Sequence, residues 1–282
     1  MSYDWQRASF RLLCVMFISI ILIQFYMLKT LQIPSNNISE SMSTIFREEK
    51  EYQFLSLKTN IDQFKKIALK HGTDKVGYHN YEYVYGQLLG PMRFSNELNF
   101  LEIGLGCGMP YGPGKSIPVW QDYLPNALIS ILEYDEKCAR PFETLVNKLY
   151  IVDQRDKEKM RKVGEQGGPY DIIVDDGGHS RKMQINSLIA LWPFVKKRGG
   201  IYIIEDIFTS YMEINGLNDN PEQSSLDLII ELLVVLNDPS KLSKEWKIQM
   251  PTNIKISQAA RDLSVDVMSI NCFEGACALI KK

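Results

Sequence analysis

Histidine is scarce in this chain, three residues in 282, and neither histidine nor cysteine recurs in the sets that build a zinc framework. An excess of charge is missing too. Against 34 acidic residues stand 32 basic ones, and a net charge of −2 gives no reason to expect a polyanion such as nucleic acid as partner. No internal repeat or low-complexity block interrupts the chain. The dinucleotide fingerprint G-x-G-x-x-G fails, because Met109 stands where its third glycine belongs. What remains is ordinary in composition, 45% hydrophobic and 23% charged, and long enough for one large α/β domain with a short appendage.

The appendage is N-terminal. Leu12 to Leu28 carries no charge and is flanked by Arg7, Arg11 and Lys29. As a helix it would be roughly 25 Å long, close to the hydrocarbon thickness of about 27 Å in an early secretory membrane. Its apolar residues cover every face, and Lys29-Thr30-Leu31-Gln32-Ile33-Pro34 offers no small-x-small cleavage site. An anchor is therefore favoured over a cleaved signal peptide. The preceding arginines place the N-terminus in the cytosol, and the sequon Asn37-Ile38-Ser39 fits a lumenal bulk. The expected organisation is a cytosolic tail (1–11), a transmembrane signal anchor (12–28), a polar stem (29–50) and a catalytic domain (51–282), giving a type II protein of the secretory pathway.

Beyond the stem, helical spacing marks 51–70 and 81–89. Strand and helix signals then alternate: strands at 99–103, 128–133, 149–152, 171–174 and 200–204, helices around 118–123, 184–194 and 226–236. Two terminal strands, 264–272 and 276–280, form a hairpin. The expected fold class is α/β: a Rossmann-like, mostly parallel, doubly wound sheet with a C-terminal antiparallel hairpin, plus the N-terminal transmembrane helix. Cys272 and Cys277 flank the hairpin turn and are either bridged or two half-buried thiols. Cys107 has no evident role. Helix 226–236 reads as core packing, with a homo-oligomer face as the alternative.

At the first strand-to-helix turn, Glu102-Ile103-Gly104-Leu105-Gly106-Cys107-Gly108 has the form E-x-G-x-G-x-G. Such a loop lets backbone approach a ligand closely and is typical of S-adenosylmethionine sites. Glu133 closes the second strand, where a carboxylate can accept from ribose hydroxyls. Asp153-Gln154 closes the third, where an acid and an amide can read an adenine edge.

The last two parallel strands end in acid. Tyr170–Val174 runs into Asp175-Asp176-Gly177-Gly178-His179, and Gly200–Ile204 into Glu205-Asp206. Strand ends of this kind deliver side chains to the rim where open α/β sheets bind ligands. Asp176, Glu205 and Asp206 supply hard oxygen donors suited to Mg²⁺, or Mn²⁺, rather than zinc. His179 can accept a proton, since imidazole ordinarily titrates near ~6.5. The implied chemistry is deprotonation of a hydroxyl followed by in-line attack on a sulfonium methyl. Asp175 is expected to face the cofactor.

These motifs together resemble the Mg²⁺-dependent, S-adenosylmethionine-dependent sugar O-methyltransferases of macrolide biosynthesis, the mycinamicin and macrocin type. The resemblance covers roughly 60–210 and rests on Asp74-Lys75 with His79, Tyr81 and Tyr85, the 102–108 loop, Trp120 with Tyr123-Leu124-Pro125, Asp153-Gln154, 175–179 and 205–211. It implies that Asp176, Glu205 and Asp206 hold the metal and that His179 is the base. It implies that Glu102, Gly104, Glu133 and Asp153-Gln154 contact the cofactor, with Gly106 in the same loop. Asp74, Lys75 and His79 would close over the site. The acceptor would carry a sugar or polyol hydroxyl. The chain departs from the family in the segment 109–115 and in the anchor. Two other readings are a metal-assisted, hydroxylase-like relative on this fold and a membrane-tethered, non-catalytic protein that kept the cofactor pocket.

Overall fold

β1, Leu98–Ile103, carries four apolar residues in six and lies inside the sheet, as a strand covered on both faces requires. It pairs in parallel with β2 (Ala127–Glu133) on one side and β4 (Ile172–Asp175) on the other. β3 (Lys148–Ile151) extends the sheet beyond β2, and β5 (Ile201–Ile204) beyond β4. The hairpin β6 (Val267–Phe273) and β7 (Ala276–Lys281) adds the antiparallel edge, giving the order β3-β2-β1-β4-β5-β7-β6. The computed structural model describes residues 35–213, 216–220, 222–238 and 255–282, with side chains from 53 onward. The described residues fall into two units, one ending at Ser56 and one beginning at Leu57, and the second holds the sheet.

Helices cover both faces. α1 (Ser35–His71), α2 (Glu82–Leu88) and α3 (Ser116–Tyr123) are followed by the short α4 (Glu136–Ala139). α5 (Lys157–Gly167), α6 (Arg181–Leu191), α7 (Ser225–Leu236) and α8 (Gln258–Ser264) complete the set. Side chains alternate along each strand. Phe100, Ile172 and Val174 join Phe64, Val84 and Trp120 in one core, and Leu101, Ile103 and Ile173 join Met160, Leu188 and Leu232 in the other.

The parallel sheet and the terminal hairpin agree with the sequence reading. α1 begins at Ser35, so the helix expected over 51–70 extends upstream into the segment read as a polar stem. No glycine or proline stands between Pro34 and Gly72 to stop it, and Gly72 ends it with a positive φ of 67°. α5 escaped the pattern reading because only Met160 and Val163 among its larger apolar side chains are buried in a charged segment. Among the described residues no helix is long and apolar enough to cross a membrane. The span read at 12–28 lies outside the described residues.

Cys272 and Cys277 are bridged across the hairpin, and Cys107 is bridged to Cys138. The second bond joins positions 31 residues apart and ties the glycine loop to α4. Constraint of the unfolded chain over that span contributes about 3.5 kcal/mol. The double variant Cys107→Ser, Cys138→Ser is therefore expected to lose about that much stability in urea titration, and the hairpin bond, separated by only 5 residues, to contribute less when removed the same way.

Candidate active site

The rim at the carboxyl ends of β1, β2 and β4 is held by backbone. Gly104 has φ 97°, and a Cβ there would overlap the Asp176 carbonyl, so glycine lets the loops after β1 and β4 cross. Asp176 N–H donates to the Ile103 carbonyl at 2.9 Å, and Gly104 N–H to Leu132 at 2.8 Å. Glu133 is buried. One of its oxygens accepts from Leu105 N–H at 3.0 Å, and the other from the N–H groups of Tyr134 and Asp135. A carboxylate has about four acceptor sites, so Glu133 keeps room for roughly one further donor.

Over this rim lies a cavity of about 450 Å³, within the range of small-ligand sites. Asp74, Gly104, Gly106, Glu133, Asp153 and Gln154 line it, and so do Asp176, His179 and Asp206. Residues expected on the cofactor side and on the acceptor side thus share one space. Missed lining residues include Tyr134, Arg155 and Met183. Tyr111, also on the wall, donates to Asp74 at 3.0 Å; it belongs to the segment 109–115, already notable as a departure. Arg155 pairs with Asp153 at 2.6 Å and holds its carboxyl below the ordinary value, chiefly through the hydrogen bond.

At the other end, acceptor atoms of Asp176, His179 and Asp206 lie within 4.8 Å of one another. His179 Nε2 is 3.2 Å from Asp206 Oδ2 and 3.8 Å from Asp176 Oδ1, while its Nδ1 is buried without a hydrogen-bond partner. Both His179 (φ 54°) and Asp206 (φ 52°) adopt the left-handed backbone, uncommon for residues with a Cβ. Tyr81 fixes Asp206, donating to Oδ1 at 2.6 Å and accepting from its N–H at 3.1 Å. Thr209 donates to the His179 carbonyl at 2.9 Å, joining the two acidic loops.

Four expected site residues lie beneath this surface instead. Lys75, read as closing over the cofactor, is buried. Its Nζ sits 2.5 Å from Asp176, 2.8 Å from Glu205 and 3.6 Å from Glu102. Burial alone would lower the Lys75 pKa, but the charges of Asp176 and Glu205 outweigh it and leave it well above the ordinary value. Glu205, read as a metal ligand, is outside the group of three. It is buried, bound by Lys75 and Tyr85, and its carboxyl is pushed well up by burial and then by the Asp176 charge. Glu102 is fully buried, accepts from Ser116 at 2.6 Å and titrates at about 6, mainly through burial. Strand alternation places it on the Phe100 side, away from the cavity.

Asp175 is the fourth. It still belongs to β4 and points to the opposite core, where Gln154 donates at 2.8 Å and Tyr202 at 3.0 Å. Gln154 also donates to Ser187 and accepts from Gly178 N–H, so its amide helps hold the loop after β4. Burial raises the Asp175 carboxyl from 3.8 to about 7. A raised folded pKa contributes stability that is full below the unfolded value and is lost as pH rises through the folded one. Relative to Asp175→Asn, the native chain is expected to lose roughly 1.4 kcal/mol per pH unit between about pH 4 and 7, read from urea midpoints in chelator. An unchanged difference across that range would refute the assignment.

Seven strands in this order and these rim loops define a Rossmann-like fold of the S-adenosylmethionine methyltransferase class. The methyltransferase of the mycinamycin pathway, solved with Mg, SAH and mycinamycin VI, superposes with a TM-score of 0.62 at 23% identity over 77% of this chain and 54% of that one. In sequence, the 8-demethyl-8-α-L-rhamnosyl tetracenomycin-C 2′-O-methyltransferase of Streptomyces olivaceus is 30% identical over 189 residues, 66% of this chain and 49% of the relative. The L-olivosyl-oleandolide 3-O-methyltransferase of Streptomyces antibioticus is 34% identical over 148 residues, 52% of this chain and 37% of the relative. The chain thus spans about half the length, or less, of the curated relatives it matches. No protein-family model matches it. The relatives are enzymes of Streptomyces. That corrects the expectation of a type II protein of the secretory pathway, and among the described residues no helix suits a membrane.

Proposed function

We propose that this chain is an S-adenosylmethionine-dependent, Mg²⁺-assisted O-methyltransferase acting on a sugar hydroxyl. The observation that carries the reading is the continuity of one cavity from Glu133 and the glycine loop to Asp176, His179 and Asp206. The relatives support it: their names specify O-methylation of rhamnosyl and olivosyl groups. Mn²⁺ would suit the same donors.

The residues fit both groups. Around Lys75 stand Glu102, Asp176 and Glu205, with Asp206 beyond, so acid exceeds base and a hard cation would relieve the excess. Asp176 and Asp206 would hold it, with Lys75, Glu205 and Tyr81 fixing their positions. Bound there, the cation would supply Lewis-acid stabilisation of negative charge on the acceptor oxygen. His179 Nε2 takes the hydroxyl proton, and the imidazolium so formed faces two carboxylates. Glu133 accepts from a ribose hydroxyl, and Gly104 and Gly106 admit the methyl donor close to backbone. The proximity of donor and acceptor in one cavity supplies the remaining advantage.

Calorimetry with S-adenosylhomocysteine and MgCl₂, followed by methyl transfer to an L-rhamnoside, tests the proposal. Saturable cofactor binding and a methylated sugar are expected, with activity abolished by EDTA and restored by Mg²⁺. No cofactor binding would overturn the reading, and full activity in EDTA would remove the cation from it.

A further inference from the structure

Beside the acidic group stands an aromatic wall that the chemistry above leaves unused. It is assembled from two turns. Val76 and Asn80 bridge to close the first, which carries Gly77 at φ 87° and presents Tyr78. The second is the 3-10 turn Ile207–Tyr211 that follows Asp206 and carries Phe208. His79 lies flat on buried Tyr81, with ring centroids 4.6 Å apart and planes 9° from parallel. Phe208 stands 6.2 Å from the other rings' common member, His79, and Tyr78 meets His79 edge-on at 4.8 Å. The inner edge of the wall reaches Asp206, which lines the cavity: His79 Nε2 is 3.6 Å from Asp206 Oδ1. Its outer members face solvent, Tyr78 being 84% and Phe208 37% exposed.

Leaving such rings in water forgoes the gain of burying them. Their arrangement suits a particular occupant. Aromatic faces are flat, apolar and weakly negative, and they attract the polarised C–H groups on one face of a pyranose ring. The hydroxyls of that ring then lie at its edges, where Asp206 and His179 can meet one of them. The wall also has a rigid base, since Tyr81 is tied to Asp206 and, at 3.4 Å, to the Gly275 carbonyl. Rigid aromatic side chains supply contact area at low entropic cost.

We propose that Tyr78 and Phe208, backed by His79, form the platform on which the acceptor's sugar ring stacks, setting which hydroxyl reaches His179. This rests on the sugar-methylating reading. It assigns the two rings as specificity-determining residues and leaves the methyl donor's end of the cavity unaffected by them.

The test is saturation-transfer NMR on the full chain with methyl α-L-rhamnopyranoside, with p-nitrophenol as the sugar-free aromatic probe. Strong transfer to ring C–H protons of the rhamnoside is expected in the native protein. Tyr78→Ala and Phe208→Leu should each weaken rhamnoside binding about tenfold, and Tyr78→Phe should retain it. Tyr78 is mostly exposed, so its replacement leaves the fold intact, which the thermal midpoint verifies. Affinity for S-adenosylhomocysteine should be the same in all variants. Rhamnoside binding that is absent, or unchanged by both substitutions, overturns the platform, as does dependence of p-nitrophenol binding alone on the two rings. Failure of the native chain to bind S-adenosylhomocysteine strikes the methyltransferase reading instead, and the NMR result still decides the platform.

Discussion

His179→Ala is expected to lower the turnover of methyl transfer by about 10²–10⁴-fold, the usual worth of a positioned general base. Binding of S-adenosylhomocysteine should stay near the native value, because the contacts proposed for the methyl donor lie at the Glu133 end of the cavity. The geometry sharpens this test. Nε2 lies in the same group of three as the Asp176 and Asp206 oxygens, so it could serve as a ligand instead of a base. Mn²⁺ titration followed by electron paramagnetic resonance separates the two roles. A base leaves cation affinity close to native and removes the acid limb of the pH–rate profile. A ligand lowers cation affinity alongside turnover. Native turnover in the variant would deny His179 either role.

Lys75→Met is expected to cost about 3–5 kcal/mol of folding stability, the typical penalty for removing one partner from a buried ion pair. The reason is local. Lys75 is buried, and without it Glu102, Asp176 and Glu205 lose the cation within 3.6 Å of each. The sign of the pH effect follows. Removing the lysine raises the already elevated Glu102 and Glu205 carboxyl pKa values further in the folded chain, and a raised folded pKa means stability lost as pH increases. The loss should therefore be larger at pH 8 than at pH 5.5, where Glu102, at about 6, can take up a proton. Urea denaturation in EDTA at both pH values measures it. Adding Glu205→Gln should recover part of the loss, and that non-additivity identifies the pair as coupled. A loss near zero at pH 8 would show that Lys75 is not the counter-charge of the cluster.

Much of the architecture was legible before the structure. The parallel strands read as apolar runs because both faces are covered, and each ran into glycine or acid at its end. The hairpin around Glu274-Gly275 followed from the same punctuation. α5 was not legible, since few apolar residues suffice to dock a helix whose other positions face water. The extent of α1 was missed because a helix was expected only where apolar residues recur at helical spacing, from 51 onward, whereas the absence of glycine and proline between 35 and 71 permits a longer one. The Cys107–Cys138 bond had no local signal, as its two halves follow different strands.

The same division runs through the site. By itself the sequence determined which residue types gather at the rim, and in what chain order: a glycine loop, an acid after the second strand, and two acidic loops with a histidine. That information is local, since it depends on where each strand ends. Only the tertiary structure decided which of these side chains reach the cavity. Asp175 and Asp176 are neighbours in sequence, yet one still lies in β4 and points into a core while the other has left the strand and faces the cavity. Lys75 looked like a lid residue, but lies under the carboxylates as their counter-charge. A strand's alternation sends adjacent residues to opposite faces, and a buried charge goes where its partners are. Both depend on register and packing, which bring together residues 101 and 130 positions apart.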